Sequence, residues 1–309
     1  VISAAEVPPY PSYPNKKRTF MMIVIMGFMG ACGLVFALYF LNPGLHSPEQ
    51  IEQELGLHAI GMIPKLPTKT EPYKHLLDGE ISGYMEAINS LRISLRLSDP
   101  DALIKVIQVT SSVPAEGKSS LVLGLALMLV KEGKKVLVID GDLRRSSLPE
   151  TLGVRSKGPG LTDFILAETD NPDEFVDIHE ESGIHFMRTG DAKYANATDI
   201  FTSKRMQHIV EGLKTNFDYV LFDTPPVMAV PDARVIGQIV DKTIFVVRWD
   251  KTPRKVARAA IDLLRKGGTD IGGIVLQQVD LKRYGKLGYG DSGYYYHYGR
   301  YHHYYNYKH

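Results

Sequence analysis

The stretch Ser111-Ser112-Val113-Pro114-Ala115-Glu116-Gly117-Lys118-Ser119-Ser120 has the residue types and spacing of a loop that holds phosphate. It follows an apolar run, KVIQVT (105–110), and opens another. In the P-loop pattern GxxxxGK[ST], the second glycine lets the backbone approach phosphate oxygens, and the helix that follows aims its N-terminal N–H groups at them. Here that glycine is Gly117, Lys118 would reach the outer phosphates, and Ser119 would ligate magnesium. Ser112 stands where the pattern has its first glycine. The expected nucleotide contacts are therefore Ser112, Pro114, Ala115, Glu116, Gly117, Lys118, Ser119 and Ser120.

Two more apolar runs end in carboxylates. VLVIDGDLRR (136–145) sets Asp140 and Asp142 on either side of Gly141, and FDYVLFD (217–223) ends at Asp223, before Thr224-Pro225-Pro226. A buried acid at a strand end is costly unless a cation or donor compensates it. Asp140 could instead cap a helix. Four hydrophobic residues and then Asp223 form a Walker B arrangement, whose carboxylate serves magnesium. Lys and Ser from one strand end, a pair of Asp from a second and Asp from a third make a site for ATP with Mg2+. The metal ligands these patterns predict are Ser119 and Asp223.

The elements that must position these groups alternate. Strand-length runs lie at 105–110, 134–140, 184–188, 217–223, 242–248 and 271–277, with helices expected over 117–132, 200–213, 232–239 and 252–266. Continuous Val/Ile/Leu runs imply strands covered on both faces, that is, a parallel sheet between helices. Ligands in such sheets bind at the carboxyl ends of the strands. The fold class expected is α/β: a P-loop NTPase-like parallel sheet with helices on both faces, preceded by one transmembrane helix and followed by a flexible tyrosine-rich tail.

The transmembrane helix is read at 20–41, FMMIVIMGFMGACGLVFALYFL, which carries no charge. At about 1.5 Å per residue it crosses a hydrocarbon layer of roughly 30 Å. Residues 1–19 are proline-rich before it, 42–80 read as a linker with one short strand in LHAIGMIP, 81–280 as the P-loop domain and 281–309 as the tail. The first residue, Val1, reads as the start of a fragment or processed chain. Lys16, Lys17 and Arg18 precede the span, and His46, Glu49, Glu52 and Glu54 follow it. By charge alone the N-terminal side would be cytoplasmic. The need for ATP puts the C-terminal domain there instead, with an upstream span setting the topology.

A net charge of +1 over 309 residues argues against a nucleic-acid partner. The single cysteine, Cys32, excludes an internal disulfide and a cysteine-based zinc site. Ten of the seventeen tyrosines fall between Tyr284 and Tyr307, in a segment with Leu287 as its one aliphatic residue after Arg283. Such a segment cannot build a core. Alone it reads as an adhesive tail.

SSVPAEGKSS, VLVIDGDLRRSSL, FDYVLFDTPPV and the terminal tyrosine cluster, all behind a membrane span, resemble the bacterial tyrosine kinases that accompany exopolysaccharide and capsule export. The resemblance implies an ATP-dependent protein-tyrosine autokinase that regulates polysaccharide chain length, assembly and export from the bacterial inner membrane, its kinase domain cytoplasmic. It implies catalytic roles for Lys118, Asp140 and Asp142, with Asp140 helping to activate the attacking phenol and Asp142 joining Ser119 and Asp223 as a metal ligand; Arg144 and Arg145 read equally as charge-stabilising groups and as a solvated helix start. The phosphorylated residues it implies are Tyr294, Tyr295, Tyr296, Tyr298, Tyr301, Tyr304, Tyr305 and Tyr307, each in the tail of a neighbouring subunit, with Lys282, Arg283 and Lys286 guiding the tail. It implies a homo-oligomeric ring, an octamer, with Glu86 and Arg92 at the interface. Asn89 stands where that helix pattern has its middle arginine, and Arg96 lies one turn further on. Its implied partners are the polysaccharide export machinery and a cognate tyrosine phosphatase.

Two other readings compete. A membrane-tethered P-loop ATPase switch of the cell-division or partition type would carry a second lysine in the loop, where this chain has Val113. Such switches also have no comparable tyrosine tail, and a structural chain-length regulator without kinase chemistry, whose ATPase sets assembly state, is the other alternative.

Overall fold

The computed structural model describes residues 15–41, 44–66, 82–99, 103–154, 157–167, 169–191 and 197–286. The eight tail tyrosines from Tyr294 to Tyr307 lie outside the described residues, as do residues 1–14. The chain divides after Pro43 into two units. The first holds helix α1 (Lys16–Leu41), which contains the expected span from Phe20 onward. Among the described residues it is the one helix long and apolar enough to cross a membrane.

The second unit is built on one eight-stranded sheet in the order β1-β8-β7-β2-β6-β3-β5-β4. Its strands are β1 (Ala59–Pro64), β2 (Val106–Ser111), β3 (Val136–Asp140), β4 (Asp177–His179), β5 (Ile184–Met187), β6 (Tyr219–Asp223), β7 (Lys242–Arg248) and β8 (Ile271–Val279). All neighbours pair in parallel except β4, an antiparallel edge strand on β5. The sheet is thus mixed where the sequence suggested it was purely parallel. Edge strand β4 leaves Asp177 and Ile178 exposed, so it lacks the continuous apolar run that marks the central strands.

Successive side chains of a strand point to opposite faces, and this divides the core. Ile107, Val109, Ile244 and Val246 face a layer formed by α3 (Ser82–Ser98) and α4 (Lys118–Lys131). Phe245 and Val247 face α2 (Pro48–Leu55) and α10 (Arg254–Lys266). Val106, Leu137, Val220 and Phe222 face α6 (Leu161–Leu166) and α8 (Lys204–Asn216). The short helices α5 (Leu148–Leu152), α7 (Ala197–Thr202), α9 (Asp232–Ile236) and α11 (Leu281–Lys286) complete the described helices.

Three local readings change. The helix expected over 200–213 is two helices, because Ser203 leaves helical geometry and its Oγ accepts from Met206 N at 3.0 Å, capping α8. The helix expected over 232–239 ends at Ile236. Residues 44–66, read as a linker, belong to the second unit: Ser47 caps α2, Ile51 and Leu55 are buried, and β1 pairs with β8. Glu54 there pairs with Arg254 and Arg258, and Glu52 with His58, so these acids are partnered on the folded domain.

Candidate active site

The three strand ends singled out in the sequence belong to three adjacent strands, β2, β6 and β3. After β2 the chain turns through the phosphate loop. Ala115 and Gly117 both take positive φ, +64 and +98°, and Gly117 caps α4 without a side chain. A Cβ on Gly117 would lie 2.5 Å from Cγ of Gln277, so glycine is required both by conformation and by space. Pro114 and Ala115 form the exposed crown, and Lys118, Ser119 and Ser120 are half-buried in the first turn of α4. Val113, at the position a switch ATPase would give to lysine, donates its amide to Glu116.

Glu116, an expected nucleotide contact, has its side chain held by the fold. Its side chain is buried and accepts from Val113 N at 2.9 Å, Arg248 N at 3.3 Å and the Thr252 hydroxyl. It braces the loop against the end of β7. Gln277 Nε2 on β8 donates to Gly117 O at 3.2 Å, and the Tyr84 hydroxyl on α3 donates to Ser120 O at 3.2 Å. Neither Gln277 nor Tyr84 carries a local motif, and sequence reasoning passed over both. Burial pushes the Tyr84 phenol up to about 12, so it stays neutral.

The carboxylates converge. Asp140 and Asp223 are Cα register partners across β3 and β6, and Gly141 N donates to Asp223 O at 2.8 Å. Ser119 Oγ donates to Asp223 Oδ2 at 2.5 Å, joining the phosphate loop to the Walker B strand. Asp140 Oδ2 accepts from Ser146 Oγ at 2.5 Å and its Oδ1 from Asp142 N at 3.1 Å. Asp142 Oδ1 accepts the amides of Arg144 and Arg145 at 3.2 and 2.9 Å, which ties the acid into the turn after β3. Arg144 reaches the buried Asp232 at 3.5 Å.

Burial raises both strand-end acids. Asp140 is pushed up from 3.8 to about 7, first by desolvation and then by the charge of Asp223. Asp223 is pushed up to about 6 by desolvation, offset in part by the Lys118 ammonium and the Ser119 hydrogen bond. Asp223 Oδ1 is buried with no hydrogen-bond partner, and so is Ser112 Oγ at the start of the loop. An unpartnered carboxylate oxygen beside a serine hydroxyl and a second acid fits a divalent cation. Hard oxygen donors of this kind suit magnesium, with substrate phosphates completing its shell.

The expected interface residues sit on α3. Glu86 is exposed. Arg92 is bound within the chain, at 2.9 Å from Glu132 and 3.0 Å from Asn89 Oδ1. Arg283, expected to guide the tail, pairs with Asp250 at 2.9 Å.

Residues 103–280 match the ParA family, described as NUBPL iron-transfer P-loop NTPase. The chain is 32% identical over 307 residues to the putative tyrosine-protein kinase AmsA of Erwinia amylovora, covering 94% of this chain and 42% of that protein. It thus spans about two fifths of the length of the curated relatives it matches. Among solved structures it is similar to the BceF tyrosine kinase domain, with 30% identity, a TM-score of 0.63, and coverage of 76% of this chain and 100% of that one. The kinase domain of Escherichia coli tyrosine kinase ETK gives 26% identity and a TM-score of 0.69, covering 76% and 95% respectively.

Proposed function

We propose, for a chain that belongs to the bacterial tyrosine-kinase family on a ParA-type P-loop fold, that it transfers the γ-phosphoryl of ATP to tyrosines in the tail of a neighbouring copy. The observation that carries this reading is the gathering of Lys118, Ser119, Asp140, Asp142 and Asp223 at the ends of three adjacent strands. In it, the open amides of α4 and the Lys118 ammonium hold the triphosphate. Ser119, Asp223 and Asp142 would hold magnesium, which would supply positive charge to offset that developing on the phosphates.

Asp140 has the position and chemistry of a proton acceptor. A free phenol ionises near pH 10 and attacks poorly when protonated. A carboxylate pushed up to about 7 is poised to take that proton near neutrality. In the step, the phenol oxygen forms a bond to the γ-phosphorus and its proton passes to Asp140. The bond to the β-phosphate breaks, and ADP leaves with the electron pair. Each phosphate added brings up to about −2 of charge to the tail.

The reading extends to place and assembly. It puts α1 in the inner membrane with the P-loop domain cytoplasmic, and the copies in a homo-oligomeric ring, octameric in the family pattern. In that setting, phosphorylation of the tails, reset by a phosphatase, regulates an exopolysaccharide export machinery. The test is a mass-spectrometric map of the full chain after incubation with magnesium and ATP. Phosphate is expected on residues among Tyr294, Tyr295, Tyr296, Tyr298, Tyr301, Tyr304, Tyr305 and Tyr307. ATP turnover that yields only free phosphate, with unmodified tyrosines, would replace the kinase by a switch ATPase.

A further inference from the structure

We propose that Asp250 positions the root of the tyrosine tail, and that it does so on the same turn that braces the phosphate loop. The proposal rests on the kinase reading only in taking the tail as the acceptor.

The turn runs from Trp249 to Pro253, between β7 and α10. Asp250 holds a positive φ of +56° there, and its side chain is 9% exposed. Its two oxygens serve different partners. Oδ1 accepts from His46 Nε2 at 2.7 Å, and Oδ2 pairs with the Arg283 guanidinium at 2.9 Å. The guanidinium also lies 5.4 Å over the Trp249 ring, whose Nε1 donates to His46 O at 3.0 Å. A low-exposure carboxylate with two donors, backed by an aromatic face, is a stronger anchor than an isolated surface pair.

Three elements meet at this turn. Gly44 to Ser47, the first residues of the second unit, pack on it: Asp250 N donates to Leu45 O at 3.0 Å, and a Cβ on Gly44 would lie 2.8 Å from the Asp250 carbonyl carbon. From the other side, Thr252 and Arg248 N donate to Glu116, the brace of the phosphate loop. The third element is α11, begun by Asp280 accepting from Lys282 N and Arg283 N, with Tyr284 buried. Arg283 ties α11 to the turn.

Fixing Arg283 sets the reach of everything after it. Tyr294 lies eleven positions beyond it and Tyr307 twenty-four. Fully extended, these span at most about 40 and about 85 Å. With its root held, the tail offers its distal tyrosines over a wide radius and its proximal ones over a short one.

The test uses the full chain carrying Arg283→Gln or Asp250→Asn. Trp249 is the one tryptophan, so its emission reports the anchor directly. Both variants are expected to change that emission and to speed trypsin cutting after Lys286 several-fold. They are also expected to raise the share of phosphate on Tyr294–Tyr298 relative to Tyr304–Tyr307. Unchanged emission and cutting would overturn the anchor, and faster cutting with an unchanged phosphate distribution would overturn its positioning role. Should Asp250→Asn not fold, Arg283→Gln carries the test, since that side chain is more than half exposed. A wild-type tail without phosphotyrosine removes the kinase reading and with it the positioning role, while emission and cutting still decide whether the root is anchored.

Discussion

Asp140 and Asp223 end neighbouring parallel strands at the same register, so two buried carboxyls stand side by side at the mouth of the phosphate loop. Both are raised from 3.8, to about 7 and about 6. The folded, metal-free protein therefore keeps protons that the unfolded chain has released. The stability these acids contribute is fully present below about pH 4 and is lost as pH rises through 6 and 7. Metal-free melting temperature should fall from about pH 5 to about pH 8, and Asp140→Asn should flatten that slope. Magnesium with nucleotide should stabilise most at the alkaline end and release protons on binding. A wild-type slope identical to that of Asp140→Asn would contradict this coupling.

Gly117→Ala meets two penalties at once. Its φ of +98° strains any side chain by roughly 1–3 kcal/mol, and its Cβ would strike Gln277. ATP affinity should drop at least about tenfold, which is about 1.4 kcal/mol. Adding Gln277→Ala should recover part of the loss by removing the collision and leave the conformational part. A double variant no better than Gly117→Ala, measured by ATP titration, would mean that the contact with Gln277 costs nothing.

Glu116→Ala leaves the Val113 amide and the Thr252 hydroxyl without their acceptor, while Arg248 N keeps its bond to Thr252 Oγ1 at 3.0 Å. Each buried donor left unpaired costs about 1–3 kcal/mol. Thermal melts should show a clear loss, and ATP should bind more weakly although Lys118 and Ser119 are intact. Wild-type affinity in this variant would show that the brace does not shape the loop.

Glu86 and Arg92 predict different outcomes. Glu86 is exposed, so Glu86→Ala should leave the melting temperature unchanged and shift sizing profiles toward monomer if α3 assembles the ring. Arg92→Ala breaks a part-exposed pair with Glu132 and should cost under about 1 kcal/mol. An unaltered profile for the two changes together would exclude α3 from assembly.

Much of the site was legible because its parts are local. Gly117, Lys118 and Ser119 are contiguous, and Asp140 and Asp223 each close a run of largely buried aliphatic or aromatic residues, so strand ends could be read without knowing the sheet order. What pairs across the fold was hidden. Glu116 meets Thr252 and Arg92 meets Glu132, contacts that no local pattern encodes. The bracing role of Glu116 and the pairing of Arg92 with Glu132 were therefore not readable from the sequence. Edge strand β4 is three residues long and two of them, Asp177 and His179, are polar, below any periodic signal. Helix α2 did announce itself, with Ser47-Pro48 ahead of Ile51 and Leu55, but the prolines around it suggested a linker.

The most direct measurement mixes two forms of the chain in the presence of magnesium and ATP. One is full length with Lys118→Met, which supplies a tail but cannot hold the triphosphate. The other ends at Lys286, which keeps Lys118, Asp140 and Asp223 but has no tail. Transfer between copies predicts phosphotyrosine on residues 294–307 of the first form only when the second is present. Its absence in the mixture, with wild-type chain active under the same conditions, would contradict phosphoryl transfer from this site to a neighbour's tyrosines.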